Sequence, residues 1–343
     1  MIFMMNYLYE DFQCLANSIP QIKSIRKSTV MVTGATGFIG MLLVGFFCFL
    51  NQKLNAQINI VVYVRNKEKV KTLFNNASIE VVVGDISDKI NYSGDMDYIF
   101  HCASNTDSKF MVDKPVECIK SIVNGTQAVC EFAVAKKVKS MVYLSSMEIY
   151  GNIEGLVDKI SEENMGIIDL LNKRSCYPLG KRMAENICYC FSQEYQCPIK
   201  IARLSQTFGA GYILDNSSKV FAYIGRCILN QRNIILHTDG SSMGNYVYSA
   251  DAISGLMYIL VDGDIGEAYN IANEELTMTI REMVEFVIKN FNNNISIVYD
   301  IPKENVFGYA SKTNIKLSSQ KLQKIGWSPQ YNMKDMYQRM LGV

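Results

Sequence analysis

Apolar residues along this chain form short continuous runs separated by longer stretches with helical periodicity. Continuous apolar runs are typical of strands that are buried on both faces of a parallel sheet. The runs that predict strands begin at Val30, Ile58, Ile79, Tyr98, Met141 and Ile199. Stretches such as 38–50 and 115–137 predict the helices between them. Strands that alternate with helices predict an α/β fold with a doubly wound, mostly parallel sheet.

The alternation changes after residue 209. Shorter elements follow, among them a strand over 268–271 and an amphipathic helix over 280–290 with Thr279 as its N-cap. Two short helices are predicted around 326–329. These pieces predict a smaller C-terminal lobe over the carboxyl edge of the sheet. We therefore divide the chain into a helical extension over 1–28, a sheet domain over 29–209 and a lobe over 210–343, part of which returns to the sheet near 266–273.

The strand that begins at Val30 leads into three closely spaced glycines and then directly into an apolar helix. In this setting the first glycine permits a tight turn, the second lets the backbone approach a pyrophosphate, and the third lets the helix pack close to the strand. The start of the helix offers free N–H groups and the positive end of its dipole to phosphate. The sequence therefore predicts a Rossmann-type dinucleotide-binding domain over 29–209. The predicted cofactor contacts in this motif are Gly34, Thr36, Gly37, Phe38, Ile39 and Gly40.

The end of the second strand bears on which dinucleotide binds. In NAD-binding folds an acidic residue usually follows this strand and bonds the ribose hydroxyls, whereas an arginine suits a 2′-phosphate. This chain has Arg65 at that place, with Lys67 nearby. We therefore predict NADP as the cofactor. NAD is the alternative if the basic loop is only solvated.

Further contacts are predicted after the third and fourth strands. Asp85 and Ile86 follow the third strand, where the Asp85 carboxylate can hold the adenine amino group. Ala103 and Ser104 lie at the carboxyl end of the fourth strand, beneath the cofactor, and Ser104 is a predicted substrate contact. We interpret His101, in the same strand, as a packed residue rather than a catalyst.

Tyr177 and Lys181 are four residues apart on a predicted helix, so they share one face. A tyrosine acts as a base near neutral pH only if its phenolate is stabilised, which a lysine ammonium and an oxidised nicotinamide ring can do. Ser146 follows the fifth strand at the same edge of the sheet, where it can hold a substrate hydroxyl in line with Tyr177. This set predicts alcohol oxidation, with Lys181 also bonded to the nicotinamide ribose.

Composition narrows the class of protein. The net charge of the 343-residue chain is +1, which gives no electrostatic case for binding nucleic acid or an anionic membrane. The ten cysteines form no CxxC pair or zinc-ligand cluster, and two histidines argue against a His-based metal site, so no metal is predicted. The apolar run 38–50 is too short to cross a bilayer comfortably, and no signal peptide is evident. We predict a cytoplasmic protein with reduced thiols.

Several further motifs occur in a recognisable order. They are GDI at 84–86, FHCAS at 100–104, NGT at 124–126, YLSSMEIYG at 143–151, SCYPLGKRMAE at 175–185, ARLSQTFGAG at 202–211 and GEAYNIAN at 266–273. With TGATGFIG at 33–40, they make the chain similar to the extended short-chain dehydrogenase/reductase family, in its nucleotide-sugar epimerase, dehydratase and decarboxylase branch. The resemblance implies that Ser146, Tyr177 and Lys181 are catalytic and that the substrate is a nucleoside-diphosphate sugar oxidised at C4. It also implies a homodimer that pairs helices near 125–137 and 178–193.

Glu148 is the residue on which we expect the reaction of the 4-keto sugar to depend. Related 4,6-dehydratases and UDP-glucuronate decarboxylases have a glutamate at the matching place, where a carboxylate can remove a proton from a carbon beside a 4-keto group. The alternative is that Glu148 only caps a helix or forms a salt bridge. Met147 stands where similar 4,6-dehydratases have an aspartate, which argues against a standard dehydratase because methionine cannot donate a proton.

Gly244 and Gln206 depart from the family pattern. Decarboxylases and many epimerases have an arginine at the place of Gly244, and losing such a charge-assisted contact costs ~1.5–3 kcal/mol unless Arg226 or Arg232 replaces it. Gln206 stands where the family often has a substrate-facing asparagine. It is therefore a predicted substrate contact, with a structural role as the alternative.

Three hypotheses for function follow. The first is an NAD(P)-dependent enzyme that modifies a nucleotide sugar through a transient 4-keto sugar, with epimerisation leading and decarboxylation or dehydration as close variants. The second, motivated by Arg65, is a net NADPH-dependent keto-sugar reductase. The third is a dinucleotide sensor without activity, which is disfavoured because such proteins usually lack part of the Ser, Tyr and Lys set.

Overall fold

A computed structural model describes residues 2–74, 77–153, 158–215, 217–302 and 314–343, with side chains from Asn6 onward. The helices are α1 (Ile2–Ser18), α2 (Ile22–Ile25), α3 (Phe38–Leu54), α4 (Lys67–Leu73), α5 (Ser108–Asp113), α6 (Pro115–Lys136), α7 (Cys176–Glu194), α8 (Val220–Leu229), α9 (Ser249–Asp262), α10 (Ile280–Phe291), α11 (Gln320–Lys324) and α12 (Met333–Leu341). The strands are β1 (Thr29–Thr33), β2 (Asn59–Val64), β3 (Glu80–Val83), β4 (Tyr98–His101), β5 (Ser140–Ser146), β6 (Ile199–Leu204), β7 (Gln206–Phe208), β8 (Ile234–Leu236), β9 (Met243–Tyr248), β10 (Ala268–Ile271), β11 (Asn273–Thr279) and β12 (Ile297–Tyr299). Turns of 3₁₀ helix lie at Met147–Tyr150 and Lys173–Ser175.

The main sheet of the described chain is parallel and has seven strands in the order β10-β6-β5-β4-β1-β2-β3. The doubly wound parallel fold is therefore confirmed, and each of the six predicted strands begins within one residue of its expected start. The direction of winding reverses between β1 and β4. In such sheets the crevice outside the carboxyl ends of these two strands is where a ligand binds.

Helices cover both faces of the sheet because successive strand residues point to opposite sides. On β1, Val30 and Val32 belong to one apolar core, which includes buried residues of α3 and α9. Met31, between them, belongs to the other core, with residues of α6 and α7. The continuous apolar runs of the sequence thus correspond to strands buried on both faces, as their pattern predicted.

The C-terminal part contains two smaller sheets. β7, β9 and β11 form one, in which β9 pairs parallel with β7 and antiparallel with β11. β8 and β12 form the other. The sequence did not predict β7, β11 or β12, because β7 and β12 have only three residues each and β11 is mostly polar. β10 pairs with β6 at one edge of the main sheet.

The predicted N-cap of α10 is confirmed. The Thr279 hydroxyl accepts a hydrogen bond from the Glu282 backbone N–H at 3.1 Å, and the Glu282 carboxylate accepts one from the Thr279 N–H at 2.7 Å. This reciprocal pair is a capping box, and it satisfies donors that the first turn leaves open.

The first helix joins the last one through a buried carboxylate. Asp11, in α1, accepts hydrogen bonds from the Tyr248 hydroxyl and, at 2.7 Å, from the Arg339 guanidinium in α12. Asp11 is 2% exposed. Burial raises the pKa of Asp11 to about 6, although these two partners oppose the rise. The N-terminal helices therefore pack as part of the folded molecule.

Candidate active site

A cavity of about 1030 Å³ lies at the carboxyl ends of β1, β2, β3 and β4. Eight of the predicted site residues line it: Gly34, Thr36, Gly37, Arg65, Asp85, Ile86, Ala103 and Ser104. The cavity therefore occupies the crevice at which the strand order reverses, where an α/β sheet binds its ligand. The other predicted site residues are not part of its lining.

The glycine turn fits a dinucleotide because its backbone is drawn in close to β4. Gly34 has φ +66°, and a Cβ atom there would lie 2.7 Å from the Ala103 backbone. The Gly37 N–H donates to the Gly34 carbonyl oxygen at 2.9 Å, and no side chain caps the helix that follows. The first N–H groups of α3 thus remain open to an anion.

Other residues of the glycine motif contribute to packing. Gly40 packs against the Gly34 carbonyl and the Ala35 backbone, so a side chain there would push the helix off the strand. The Phe38 ring makes an edge-on contact with the Tyr212 ring, with centroids 4.8 Å apart. Phe38, Ile39 and Gly40 form the first turn of α3 and do not line the cavity with their side chains.

The far end of the cavity is basic. Arg65 and Lys69 line it together with Asn66, which caps α4 by accepting hydrogen bonds from the Glu68 and Lys69 backbone N–H groups. Lys69 was missed from the sequence, where Lys67 was considered instead. The α4 helix turns Lys69, two positions farther on, toward the cavity.

Polar groups that follow β3 and β4 also line the cavity. Asp85 Oδ1 accepts a hydrogen bond from the Ser87 N–H at 3.0 Å, which fixes this carboxylate beside the cavity. The Ser104 hydroxyl is buried without a hydrogen-bond partner among the described residues. A buried polar group without a partner is costly, so a bound ligand that hydrogen bonds Ser104 satisfies it. This open hydroxyl and the glycine cradle fit a dinucleotide.

The structure brings Ser146, Tyr177 and Lys181 together. Ser146 ends β5, and Tyr177 and Lys181 lie one turn apart on the buried face of α7. The Ser146 side chain lies close enough to the Tyr177 phenol to lower its pKa. Lys181 Nζ lies 5.9 Å from the centroid of the Tyr177 ring and donates to the Leu144 carbonyl oxygen at 2.6 Å. The three side chains are therefore within reach of one reacting group.

Burial acts in the same way on both titratable groups of this set, because it disfavours each charged form. It lowers the pKa of Lys181 to about 8, against the attraction of Glu185. Burial also raises the pKa of Tyr177, and the nearby Glu148 carboxylate raises it further, whereas Ser146 and Arg174 lower it. The phenolate thus depends on positive charge in its surroundings.

Glu148 lies next to this set, in the 3₁₀ turn after β5. Its carboxylate forms an ion pair with the Arg174 guanidinium, with Nη2 2.8 Å from Oε2. The salt-bridge interpretation of Glu148 is therefore realised in the structure. Arg174 is a residue that the sequence analysis missed, although its position three residues before Tyr177 was a signal. The sequence analysis also missed Lys219. This residue lines the cavity, and the Glu148 charge acts to raise its pKa against the effect of burial.

Gly244 provides no charge at the place where the related enzymes are expected to have an arginine. A Cβ atom there would meet only the Met147 Cε atom, at 3.9 Å, within 4 Å among the described atoms. Arg226, offered as a replacement cation, donates to the Leu214 carbonyl oxygen at 2.5 Å. Gln206 is half-buried in β7, where it pairs in register with Tyr246 of β9. Its predicted contact with a substrate stays a prediction.

His101 is buried in β4 between two hydroxyl groups. Its Nδ1 atom lies 2.8 Å from Thr33 Oγ1, and its Nε2 atom lies 3.3 Å from Thr126 Oγ1. Burial, assisted by the Lys181 charge, lowers the pKa of His101 to about 3. His101 is therefore a neutral, hydrogen-bonded strand residue, in line with the interpretation from the sequence.

Metal ligands and membrane spans are the two other features considered. The described residues bring together no group of three or more His, Cys, Asp or Glu side chains able to hold a metal ion. In the same part of the chain, no helix combines the length and the apolar character needed to cross a membrane.

The chain is similar to known proteins both in sequence and in fold. Over 313 residues the chain is 27% identical to UDP-glucuronic acid decarboxylase 6 of Arabidopsis thaliana, covering 89% of this chain and 85% of that protein. Its fold is similar to that of UDP-glucose 4-epimerase from Thermotoga maritima, with a TM-score of 0.77, 18% identity and coverage of 91% and 97%. UDP-glucuronic acid 4-epimerase from Bacillus cereus is also similar, with a TM-score of 0.73, 20% identity and coverage of 91% and 98%.

A family model covers most of the chain. Residues 30–272 match the one described as the NAD dependent epimerase/dehydratase family. The matched range begins in β1 and ends just after β10, so it includes the cavity, the tyrosine–lysine pair and both edges of the main sheet. This protein is thus an enzyme that belongs to the NAD dependent epimerase/dehydratase family.

Proposed function

We propose that this protein is an epimerase of a nucleoside-diphosphate sugar. It oxidises C4 of the sugar, inverts a carbon beside the resulting ketone and then reduces C4 again. The observation that carries the proposal is the close grouping of Ser146, Tyr177, Lys181 and Glu148 at one edge of the sheet. Ser146, Tyr177 and Lys181 suit the oxidation of an alcohol, and Glu148 adds a carboxylate beside them. A reductase needs the serine, tyrosine and lysine but has no use for the carboxylate.

The proton steps follow from the side chains. Ser146 holds the C4 hydroxyl, and Tyr177 removes its proton while the Lys181 ammonium stabilises the phenolate. A bound nicotinamide supplies the hydride chemistry, because it accepts the C4 hydride and can return it. Tyr177 then gives its proton back to the re-formed alkoxide.

Glu148 supports chemistry at a carbon beside the ketone. The 4-keto group acidifies hydrogens on its neighbouring carbons. The Glu148 carboxylate can remove one of these protons and release it to solvent, while a water molecule on the opposite face supplies the proton that returns to the carbon. The product is then an epimer. Met147, which cannot donate a proton, disfavours loss of water.

Decarboxylation is the second candidate. It is favoured by the decarboxylase relatives and by two cations, Arg174 and Lys219, near Glu148. A sugar carboxylate next to a C4 ketone can leave as CO2, and those cations can hold it beforehand. The absence of a charged side chain at Gly244 weighs against this candidate.

We propose NADP as the cofactor, with NAD as the alternative. Arg65 and Lys69 line the same end of the cavity, where two positive charges suit a 2′-phosphate. We expect Arg65→Asp to weaken NADP binding about tenfold or more, because it removes a charge-assisted contact, and to strengthen NAD binding. Calorimetry measures both affinities, and Lys67→Asp, outside the cavity lining, is the matched control. An unchanged preference would remove the case for NADP.

The first experiment identifies the nucleotide that freshly purified protein releases on denaturation, by mass spectrometry. Near-stoichiometric NAD or NADP supports a hydride that is recycled within one turnover. An empty protein that binds NADPH reversibly would favour the net reductase instead.

The second experiment assays UDP-glucose, UDP-glucuronic acid and dTDP-glucose with each cofactor. An epimer has the mass of its substrate, whereas decarboxylation and dehydration lower it by CO2 and by water. Tyr177→Phe should lower the rate about 100-fold or more, since it removes the proposed base. Turnover that survives this substitution, or no turnover of any nucleotide sugar, would contradict the proposal.

A further inference from the structure

One cation contacts both the carboxylate and the tyrosine of the proposed site. Arg174 lies in the 3₁₀ turn Lys173–Ser175, just before α7. The Asn172 side chain caps this turn by accepting a hydrogen bond from the Arg174 backbone N–H at 2.9 Å. The cap fixes the backbone from which the Arg174 side chain extends.

The guanidinium bridges two functional groups. Arg174 Nη2 lies 2.8 Å from Glu148 Oε2, and Arg174 Cζ lies 5.9 Å from the centroid of the Tyr177 ring. The Arg174 and Glu148 side chains are 19% and 31% exposed, so solvent only partly screens the pair. The three groups therefore lie close enough to interact electrostatically.

The other charges near Tyr177 do not replace this bridge. Lys181 Nζ donates to the Leu144 carbonyl, and Lys219 Nζ donates to the Thr106 carbonyl at 3.1 Å. Within the part of the chain that the structure describes, the titratable or charged groups near Tyr177 or Glu148 include Cys118 of α6, Tyr143 of β5, Arg174, Lys181 of α7 and Lys219. Of these, Arg174 is the group for which an ion pair with Glu148 is observed.

We infer that Arg174 is a positioning residue that holds Glu148 in place and offsets its negative charge, so that Tyr177 can act as a base beside a carboxylate. An uncompensated Glu148 disfavours a second negative charge on the neighbouring phenolate. The guanidinium removes that conflict, and its planar fork also fixes the carboxylate in one orientation. The inference rests on the proposed role of Tyr177.

The test is a titration of Tyr177 that needs no turnover. A ring-fluorinated tyrosine, whose phenol ionises at lower pH, is incorporated at position 177 of the full chain, and its ionisation is followed by ¹⁹F NMR. Arg174→Gln should raise the midpoint by about 1 pH unit or more, the size of effect that a nearby charge produces. Glu148→Gln should lower it, and the double variant should return toward the unmodified protein, since the two charges act on the same group.

Two comparison variants isolate the cause. Lys173→Gln removes the same charge from an exposed neighbour and should leave the midpoint unchanged. Arg174→Lys keeps the charge without the fork and should restore most of the midpoint. An unchanged midpoint in Arg174→Gln, or an equal rise in Lys173→Gln, overturns the inference.

The same variants give a kinetic readout. In a single turnover, the rate of C4 oxidation rises with pH as Tyr177 ionises, and Arg174→Gln should move this rise to higher pH, so that the rate at a fixed pH on the limb falls about tenfold. A purely structural role would lower the rate equally at every pH and would overturn the inference. If the unmodified protein turns over no nucleotide sugar, the proposed function fails while the ¹⁹F titration still decides the role of Arg174.

Discussion

At the residue scale, the glycine turn shows how a single backbone angle fixes a binding site. Gly34 has a positive φ, and its Cα lies against the Ala103 backbone. A side chain would meet both the steric cost of this conformation and a contact with main-chain atoms that cannot rotate away. The position therefore accepts glycine alone.

We expect Gly34→Ala to lower the free energy of unfolding by about 1–3 kcal/mol and to weaken cofactor binding. Denaturant unfolding and calorimetry measure the two effects. Gly244→Ala is the matched control, because a Cβ atom at Gly244 meets only a methionine tip at 3.9 Å among the described atoms. Equal effects of the two substitutions would show that the Gly34 geometry is unimportant.

The sequence predicted site residues where a motif ties chemistry to a local element. The glycines, Tyr177 and Lys181 were predictable because strand–turn–helix and a four-residue helical spacing are local patterns. Arg174 and Lys219 were not, because their relation to Glu148 depends on how a 3₁₀ turn and the segment before α8 meet in space. Such contacts between distant segments have no periodic signal.

At the element scale, α7 is held in place by a buried ion pair. Tyr177, Lys181 and Glu185 follow one another at four-residue spacing on the same face of the helix. Arg203 in β6 donates to both Glu185 carboxylate oxygens, at 3.1 and 2.7 Å. The helix that presents the tyrosine is thereby attached to the sheet two turns farther on.

We expect Glu185→Gln to destabilise the protein by about 3–5 kcal/mol, because it leaves the Arg203 charge buried without its partner. Thermal and denaturant unfolding measure this loss. Glu194→Gln, an exposed acid at the end of the same helix, is the control and should change stability by less than about 0.5 kcal/mol. A similar, small effect of both substitutions would mean that the ion pair does not hold α7.

The elements themselves were predicted well where burial dictated their pattern. The strands of the main sheet and the helices α3, α6 and α7 have long apolar signatures. β11 does not, since NEELTMT is mostly polar and becomes a strand by pairing with β9. Tertiary pairing, rather than local preference, decides such a segment.

At the scale of the whole molecule, buried carboxylates join the C-terminal segment to the rest. Asp251, in the first turn of α9, is 2% exposed and accepts hydrogen bonds from the Gln330 and Tyr331 N–H groups at 2.9 and 3.2 Å. Burial raises the pKa of Asp251 to about 7, despite these two hydrogen bonds. Asp11 has a pKa raised in the same direction.

This raised pKa makes stability depend on pH. Between about pH 4 and pH 7 the folded protein binds a proton at Asp251 that the unfolded chain has released, so the free energy of unfolding should fall as pH rises through this range, by about 1.4 kcal/mol per pH unit for one group. Asp251→Asn should flatten the slope, as measured by denaturant unfolding at several pH values. Asp88→Asn, at an exposed site, should keep it. Because Asp11, with a pKa of about 6, adds a slope of its own at lower pH, the slopes are compared between pH 6 and pH 7, where a slope that survives Asp251→Asn contradicts the assignment.

The expected homodimer is also a property of the whole molecule. Helices α6 and α7 pack side by side and expose apolar side chains, among them Val116, Ile119, Met183 and Tyr189. We expect light scattering to give twice the chain mass, and Ile119→Glu with Met183→Glu to give the monomer mass, because charges oppose burial of this surface. Leu54→Glu, at the end of α3, should leave the dimer intact. A monomer before any substitution would refute the expectation.

The bond between Asp11 and Arg339 has a consequence for synthesis on the ribosome. Strands β1 to β4, which surround the cavity, are complete by residue 101, so the nascent chain can begin to assemble this wall early. The Asp11 carboxylate of α1 can pair with Arg339 only after another 328 residues have been translated. The rings of Tyr9 and Phe12 in α1 can pack on Phe49 of α3 as soon as α3 is made, so the ion pair with Arg339 is the contact of α1 that forms late in synthesis.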